Sequence, residues 1–254
     1  MSQQIVILAA GKGTRMGADV PKVLLPLEIN IDPSGKTEYK PVISYLLKEI
    51  QDIPQDTAPI IVVGFKQDLV KETLGDKFIY VTQFDQKGTA HAVLSAKDAV
   101  TAKNFIVLYG DMPFTRKESI SKLIDMHNSN DAKISMFIAQ LPNFENQYEH
   151  FLTFGRILRD GEGKIVKIQE YKDCSSEQKL ISEVNPGIYM FNSNWLWDKL
   201  AQIKDDNAQN EFYLTDIVEM AINDNEQIYS LPIAPEEVYG INTPEHLEFA
   251  RKLV

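Results

Sequence analysis

Cysteine is nearly missing: Cys174 is the single one in 254 residues, so neither a disulfide framework nor a cysteine-rich zinc site can form. It stands in the polar run Lys172-Asp173-Cys174-Ser175-Ser176-Glu177, which predicts an exposed, unreactive thiol. Positive charge is short as well. The formal net charge is −10 and the basic residues gather in small groups, which excludes a nucleic-acid or membrane-surface partner but allows a small anion held by local charge. No apolar run is long enough to span a bilayer, and Met1-Ser2-Gln3-Gln4 lacks the basic flank of a signal peptide, so a cytoplasmic protein is expected. There is no repeat, low-complexity tract or convincing linker, and 44% hydrophobic against 24% charged residues predicts one globular domain over residues 1–254.

Two familiar phosphate loops are also absent. The stretch Leu8-Ala9-Ala10-Gly11-Lys12-Gly13-Thr14-Arg15-Met16 has Met16 where the dinucleotide fingerprint needs its third glycine or alanine. It has Gly13 where a P-loop needs serine or threonine after Gly-Lys. What remains is a loop with its own logic. The apolar run Gln4 to Leu8 is bounded by Ala-Ala-Gly, as in a strand buried on both faces, so the loop leaves the end of a central strand. Gly11 and Gly13 let the backbone approach a ligand, and Lys12, Arg15 and Lys22 add positive charge there, a combination suited to a polyphosphate.

Strands and helices alternate from there. Ala58 to Gly64, Phe78 to Gln83 and Asn104 to Asp111 read as strands, each preceded and followed by helical spacing; helices are expected over Pro41 to Ile50, Gln67 to Leu74 and Thr89 to Val100. Thr115 and Glu118 have the spacing of a capping box for the helix that carries Ile120, Leu123, Ile124 and His127. Such alternation predicts an α/β, Rossmann-like three-layer fold with a mostly parallel mixed sheet and a small lobe. Ligands in these sheets bind beyond the carboxyl ends of the strands, where Gly11, Gly64, Gln83 and Asp111 all fall. Further on, Asn143 to Leu152 predicts a loop over the site, Gly155 to Glu170 a hairpin, Ser175 to Leu180 a short helix, Phe212 to Asn223 a helix and Gln227 to Ile233 the last strand. Asn192 or Ser193 caps a helix, and Thr243-Pro244 starts the last one, placing Asn242 where an anion or a metal-phosphate group can sit. Glu28 to Thr37 has the turn chemistry of a small hairpin. An aspartate after an apolar strand, as Asp111 is, either caps a turn or binds a metal ion, and its position alone leaves both open.

Taken together these stretches resemble the sugar-1-phosphate nucleotidylyltransferases, most nearly the uridylyltransferase domain of bacterial N-acetylglucosamine-1-phosphate uridylyltransferases. The first loop with Pro21-Lys22-Val23-Leu24 is similar to that family's signature, and Leu108-Tyr109-Gly110-Asp111-Met112-Pro113 to its metal strand. Gly240-Ile241-Asn242 resembles its second metal-binding segment, and Gln83 with Gln86 to Ala92 its pyrimidine-reading segment. Phe154 to Ile157, Ile168 to Asp173 and Glu183 to Ile188 match its sugar-side segments, and Asn207 to Ile217 is similar to a further family string, in order, over nearly the whole chain. The resemblance implies transfer of a uridylyl group from UTP to N-acetylglucosamine 1-phosphate with Mg²⁺. It assigns Arg15, Lys22 and Asp111 to catalysis, with Asp111 and Asn242 as metal ligands. Leu8, Ala9, Ala10, Gly11, Gly13, Gln83, Gly88, Thr89, Tyr109 and Gly110 would bind the nucleotide, and Gly155, Glu170 and Asn185 the sugar. His91 lies within the match, and a structural role beside the loop is expected for it.

Four features depart from the family pattern: Phe154 for tyrosine, Pro186 for threonine, Asn210 for glycine, and the extra stretch from Glu28 to Lys40. Phe154 and Pro186 each remove a hydroxyl beside the expected sugar contacts, so another sugar 1-phosphate, or dTTP in place of UTP, stays open. The chain ends where bifunctional members of the family begin a hexapeptide-repeat acetyltransferase domain, so that activity and its trimer are not expected, leaving a monomer or dimer. A GT-A-like glycosyltransferase would carry Asp-x-Asp where Asp111 is followed by Met112-Pro113. A non-catalytic nucleotide-sugar sensor would not need Arg15, Lys22, Asp111 and Asn242 together.

Overall fold

The structure, a computed structural model, describes residues 3–17, 19–31 and 37–253, with the side chains of 28–31, 37 and 38 left aside. The first half runs β1 (Gln3–Ala9), β2 (Pro26–Ile31), β3 (Thr37–Pro41), α1 (Val42–Ile50), β4 (Ile60–Val63), α2 (Gln67–Leu74), β5 (Ile79–Thr82), α3 (Thr89–Ser95) and β6 (Asn104–Tyr109). After it come α4 (Lys117–Ser129), β7 (Ile134–Gln140), β8 (Gly155–Arg159), β9 (Ile165–Gln169), β10 (Glu183–Asn185) and β11 (Tyr189–Asn192). The chain finishes with α5 (Ser193–Leu200), α6 (Asp216–Asn223), β12 (Ile228–Pro232) and α7 (Pro244–Ala250).

Strands β5, β4, β1 and β6 pair in that order, all parallel, and form the half of a mixed sheet that faces the first loop. On β1, Ile5, Ile7 and Ala9 enter one buried cluster with α1, α2 and α4, while Val6 and Leu8, with Ala10 just beyond the strand, enter the opposite one with α3, α5 and α6. The expected central strand, buried on both faces, is therefore present, and the layers are helix, sheet, helix. Beyond β6 the pairings are antiparallel, except that β12 lies parallel to β7. Strands β10 and β11 run as one ladder along β7, but the register shifts by two residues between them, at Asn185 to Ile188. That interruption lets β11 pair with β6 while β10 pairs with β8, so the β8–β9–β10 lobe diverges at the carboxyl end of β6.

Several helix ends differ from the sequence expectation, each for a local reason. The Thr115–Glu118 capping box does not form: the Thr115 hydroxyl donates to the Glu237 carbonyl at 2.9 Å, and the backbone N–H groups of Arg116 and Lys117 donate to the carboxylates of Glu237 and Glu49. Carboxylates from other elements thus occupy the place of the local cap. Helix α3 stops at Ser95 because Gln4 ties down the segment beyond it, accepting from Thr101 N–H at 3.0 Å. Helix α6 starts at Asp216, since the backbone of Phe212 pairs with Lys87 and Ala90 instead of winding. Of the stretch Ser175 to Leu180 only the turn Gln178–Leu180 is helical. Cys174 is buried, contrary to expectation, because the turn Tyr171–Asp173 folds it back onto β9, where its thiol reaches the Gln169 carbonyl at 3.5 Å; burial pushes that thiol's pKa up. Strands β2 and β3 pair antiparallel, as a hairpin requires, and the turn expected at Asp32 to Lys36 lies outside the described residues.

His127, on the buried face of α4, shares a 2.9 Å contact with Ser135, and burial pushes its pKa down to about 4. Between that value and an unfolded value near 6.5 the unfolded chain holds the extra proton, so stability falls as pH drops through the window, by roughly 2–3 kcal/mol at its lower end. Urea melts from pH 7 to pH 4 should show this fall, and His127→Asn, which keeps an acceptor toward Ser135, should flatten it. Equal slopes for the two proteins would refute the assignment.

Candidate active site

The carboxyl ends of β1 and β6 bring the first loop against Asp111. Lys22, at the start of a single 3-10 turn (Lys22–Leu24), sends its ammonium group between the Asp111 carboxylate and the side-chain oxygen of Asn242, the latter at 2.8 Å. Arg15 approaches the same Asn242 oxygen at 3.4 Å. Residues separated by more than 200 positions in sequence therefore converge on one point. Ile241 N–H donates to the Asp111 carbonyl at 2.9 Å, which docks the Asn242 turn on the end of β6. Gly11 and Gly13 lie along the Lys22 stem, and a Cβ on Gly13 would come to 3.1 Å from that of Lys22.

A cleft of about 280 Å³ opens from this cluster and is walled by Lys22, Thr89, Tyr109, Asp111, Gly155, Glu170, Asn185 and Asn242, among others. Eight residues singled out in the sequence thus share one cavity. Arg15 faces a neighbouring depression with His150 and His246. Leu8, Ala9 and Ala10 have buried side chains, and the carbonyls of Leu8 and Ala10 accept from Gly110 and Phe65 N–H, so they form the floor beneath the loop rather than its surface. Gln83, 5% exposed, donates its amide to the Gly88 carbonyl at 3.2 Å and to His91 Nδ1 at 3.1 Å. His91 accordingly has the structural role expected of it, and Oε1 of Gln83 remains as an acceptor. Gly88 has φ +105°, and a Cβ there would meet the Phe212 carbonyl at 2.6 Å, so the loop passes Phe212 only because Gly88 lacks a side chain.

On the lobe side, Glu170 accepts from the Thr215 hydroxyl at 2.9 Å, and burial pushes its carboxyl pKa up. Asn185 accepts from Gly187 N–H at 3.0 Å, which fixes its amide and leaves Nδ2 as a donor. Arg156, fully buried, donates to the carbonyls of Leu152, Phe154 and Lys179 and lies over the rings of Phe144 and Tyr171, holding the approach to Gly155. Tyr109 reaches across to Gly187; burial, then the charges of Asp111 and Glu170, raise its pKa and keep the phenol protonated. Gly187 has φ +84°, and a Cβ would stand 2.9 Å from the Tyr109 hydroxyl. Gly187→Ala is expected to cost about 1–2 kcal/mol of stability through the left-handed backbone alone and to move Tyr109 within the cleft. Thermal melting and ligand titration check it, and a variant matching the parent in both would remove Gly187 from the wall.

Sequence reasoning missed Thr215, whose motif it matched without giving it a task, and His150 and His246, which contact each other only through the fold. The stretch expected as a loop over the site is instead a chain of 3-10 turns, Asn146–Thr153, that carries His150. Among the described residues no group of three or more His, Cys, Asp or Glu forms a metal cage. Magnesium needs none, since it takes one or two protein oxygens and keeps its waters. The carboxylate of Asp111 and the amide oxygen of Asn242 are such hard donors, and here they already share a cation, the Lys22 ammonium. No helix among the described residues is long and apolar enough to cross a membrane.

A strand-end loop with paired glycines, two cations and two oxygen donors on a parallel sheet defines a nucleotide-handling α/β site. The MobA-like NTP transferase domain matches residues 5–211, and the chain belongs to that family and is a nucleotidyltransferase. It is 36% identical over 251 residues to the Bifunctional protein GlmU of Desulfotalea psychrophila, covering 97% of this chain and 68% of that protein. It is 36% identical over 247 residues to the Bifunctional protein GlmU of Carboxydothermus hydrogenoformans, covering 97% and 51%; this chain spans about half the length of most such relatives. In fold it is similar to a UDP-glucose pyrophosphorylase complexed with UDP-glucose, with TM-score 0.73, 19% identity and coverage of 100% and 98%. A CMP:2-keto-3-deoxy-manno-octonic acid synthetase complexed with CTP gives TM-score 0.70, 18% identity and the same coverage.

Proposed function

We propose that the chain is a sugar-1-phosphate nucleotidyltransferase that moves a uridylyl group from UTP to N-acetylglucosamine 1-phosphate and releases pyrophosphate. The observation that carries this reading is the convergence of Lys22, Asp111 and Asn242 in one cleft whose walls include Thr89, Glu170 and Asn185. Homology to part of the bifunctional GlmU proteins supports it. Both reactants are anions, and a phosphate oxygen of the sugar must attack the α-phosphorus in line as pyrophosphate leaves. The protein's task is to screen charge and fix geometry, with no covalent nucleophile.

Lys22 meets the phosphates at the reacting end, and Arg15 lies toward the departing pyrophosphate. Gly11 and Gly13 give backbone N–H groups close approach to the triphosphate. Gln83 Oε1 accepts from the N3–H of a uracil or thymine ring, a donor that cytosine lacks. Asn185 Nδ2 donates to, and Glu170 accepts from, the sugar's hydroxyl and amide groups. Asp111 and Asn242 would hold a magnesium ion, which supplies charge neutralisation on the phosphates.

Pyrophosphate release tests the proposal, with four nucleoside triphosphates and dTTP, each against N-acetylglucosamine 1-phosphate, glucose 1-phosphate and N-acetylgalactosamine 1-phosphate. Release confined to UTP with N-acetylglucosamine 1-phosphate is expected. Preference for another sugar or for dTTP would reassign the substrate, and no release with any pairing would sink the catalytic reading.

A further inference from the structure

The turn that carries Asn242 is held from behind by two histidines that line no part of the main cleft. Gly240 N–H donates to His150 Nε2 at 3.2 Å, and Asn242 N–H donates to His246 Nδ1 at 3.3 Å. Between them Ile241 N–H goes to Asp111. Three consecutive backbone donors are therefore satisfied, two by imidazole nitrogens, where an unpaired buried N–H would be costly. The histidines are themselves fixed. The Thr243 hydroxyl accepts His246 N–H at the start of α7, and the His150 ring packs on Phe151, Phe154 and Tyr239.

In each ring the nitrogen that faces the turn, His150 Nε2 and His246 Nδ1, is the acceptor for the backbone N–H. The other two nitrogens, His150 Nδ1 and His246 Nε2, approach to 3.4 Å with the rings at 88°, so the two histidines also touch each other behind the turn. His150 also belongs to the same run of turns as Thr153, a wall of the cleft, so it ties that wall to the Asn242 turn.

We propose that His150 and His246 are positioning residues: by accepting the N–H groups on either side of Ile241, they set where the Asn242 side-chain oxygen stands relative to Asp111. This rests on the reading of Asp111 and Asn242 as the metal-holding pair, and its test is separable from catalysis. The side-chain oxygen of asparagine falls near histidine Nδ1, and that of glutamine near Nε2. His246→Asn and His150→Gln can therefore keep the backbone bond, while His246→Gln and His150→Asn cannot.

Amide hydrogen exchange at Gly240 and Asn242 reads the bond directly in the full chain, and Mn²⁺ titration by electron paramagnetic resonance reads the donor pair without substrate. His150→Asn and His246→Gln are expected to speed exchange at Gly240 and Asn242 respectively by about tenfold or more and to weaken Mn²⁺ binding by about tenfold, as removal of groups that orient metal ligands does. The matched substitutions should stay near the parent. Asparagine and glutamine behaving alike at each position, or exchange unchanged in all four variants, would overturn the proposal. If the exchange pattern holds while Mn²⁺ binds the parent nowhere near this turn, the positioning of the turn stands and the metal-pair reading falls.

Discussion

Lys22→Ala is expected to lower kcat by about a thousandfold while the protein stays folded. The ammonium group lies between the two oxygen donors of the site, at the mouth of the cleft and at the end of the central strands. Removing one well-placed cation or donor from a site where charge develops costs about 3–4 kcal/mol of transition-state stabilisation, and each 1.4 kcal/mol is about tenfold. The ground-state affinity for UTP should change far less than kcat, because many other contacts hold the nucleotide. Steady-state kinetics with a urea melt on the same sample separate the two effects. A nearly unchanged kcat would remove Lys22 from the chemistry.

Asp111→Asn should be comparably severe and differ in kind. The side chain keeps its shape and its place at the end of β6, but the charge that attracts a divalent cation is gone. Activity should fall by at least about a thousandfold, and the remainder should no longer saturate with Mg²⁺ over the range that saturates the parent. Lys22 would also lose its ionic partner, leaving the Asn242 oxygen as its contact. An unaltered metal profile would exclude Asp111 as a ligand, whatever happened to the rate.

The sheet was legible in the sequence because buried strands have to be apolar. The runs ending at Ala9, Val63, Thr82 and Tyr109 are where the strands lie, and their order placed Gly11, Gln83 and Asp111 along one edge before any resemblance was used. What failed was decided by distant partners. Thr115 stands three places before Glu118, as a box requires, yet its hydroxyl donates to the Glu237 carbonyl, and carboxylates from Glu237 and Glu49 cap the N–H groups of Arg116 and Lys117. The lengths of α3 and α6 were set by Gln4 and by the Phe212 pairing, neither of which leaves a periodic trace.

The site shows the same division. Asp111 and Asn242 stood in recognisable strings, whereas His150 and His246 meet across 96 residues of sequence and became visible only when the Asn242 turn asked for acceptors. Cys174 was misplaced because a polar run said nothing of the turn that folds it inward. The lobe was the least readable part. Its divergence depends on a two-residue register shift at Asn185 to Ile188, where Pro186 and Gly187 signal a break without saying which strand pairs on either side.

The central claim is direct, in-line transfer between two anions held by fixed charges, and the stereochemistry at phosphorus tests it most directly. UTP made chiral at the α-phosphorus with sulfur should give product of inverted configuration, as one displacement requires. Retention would require two displacements through a uridylylated side chain, and would contradict a site in which Lys22, Arg15, Asp111 and Asn242 only screen charge and fix geometry.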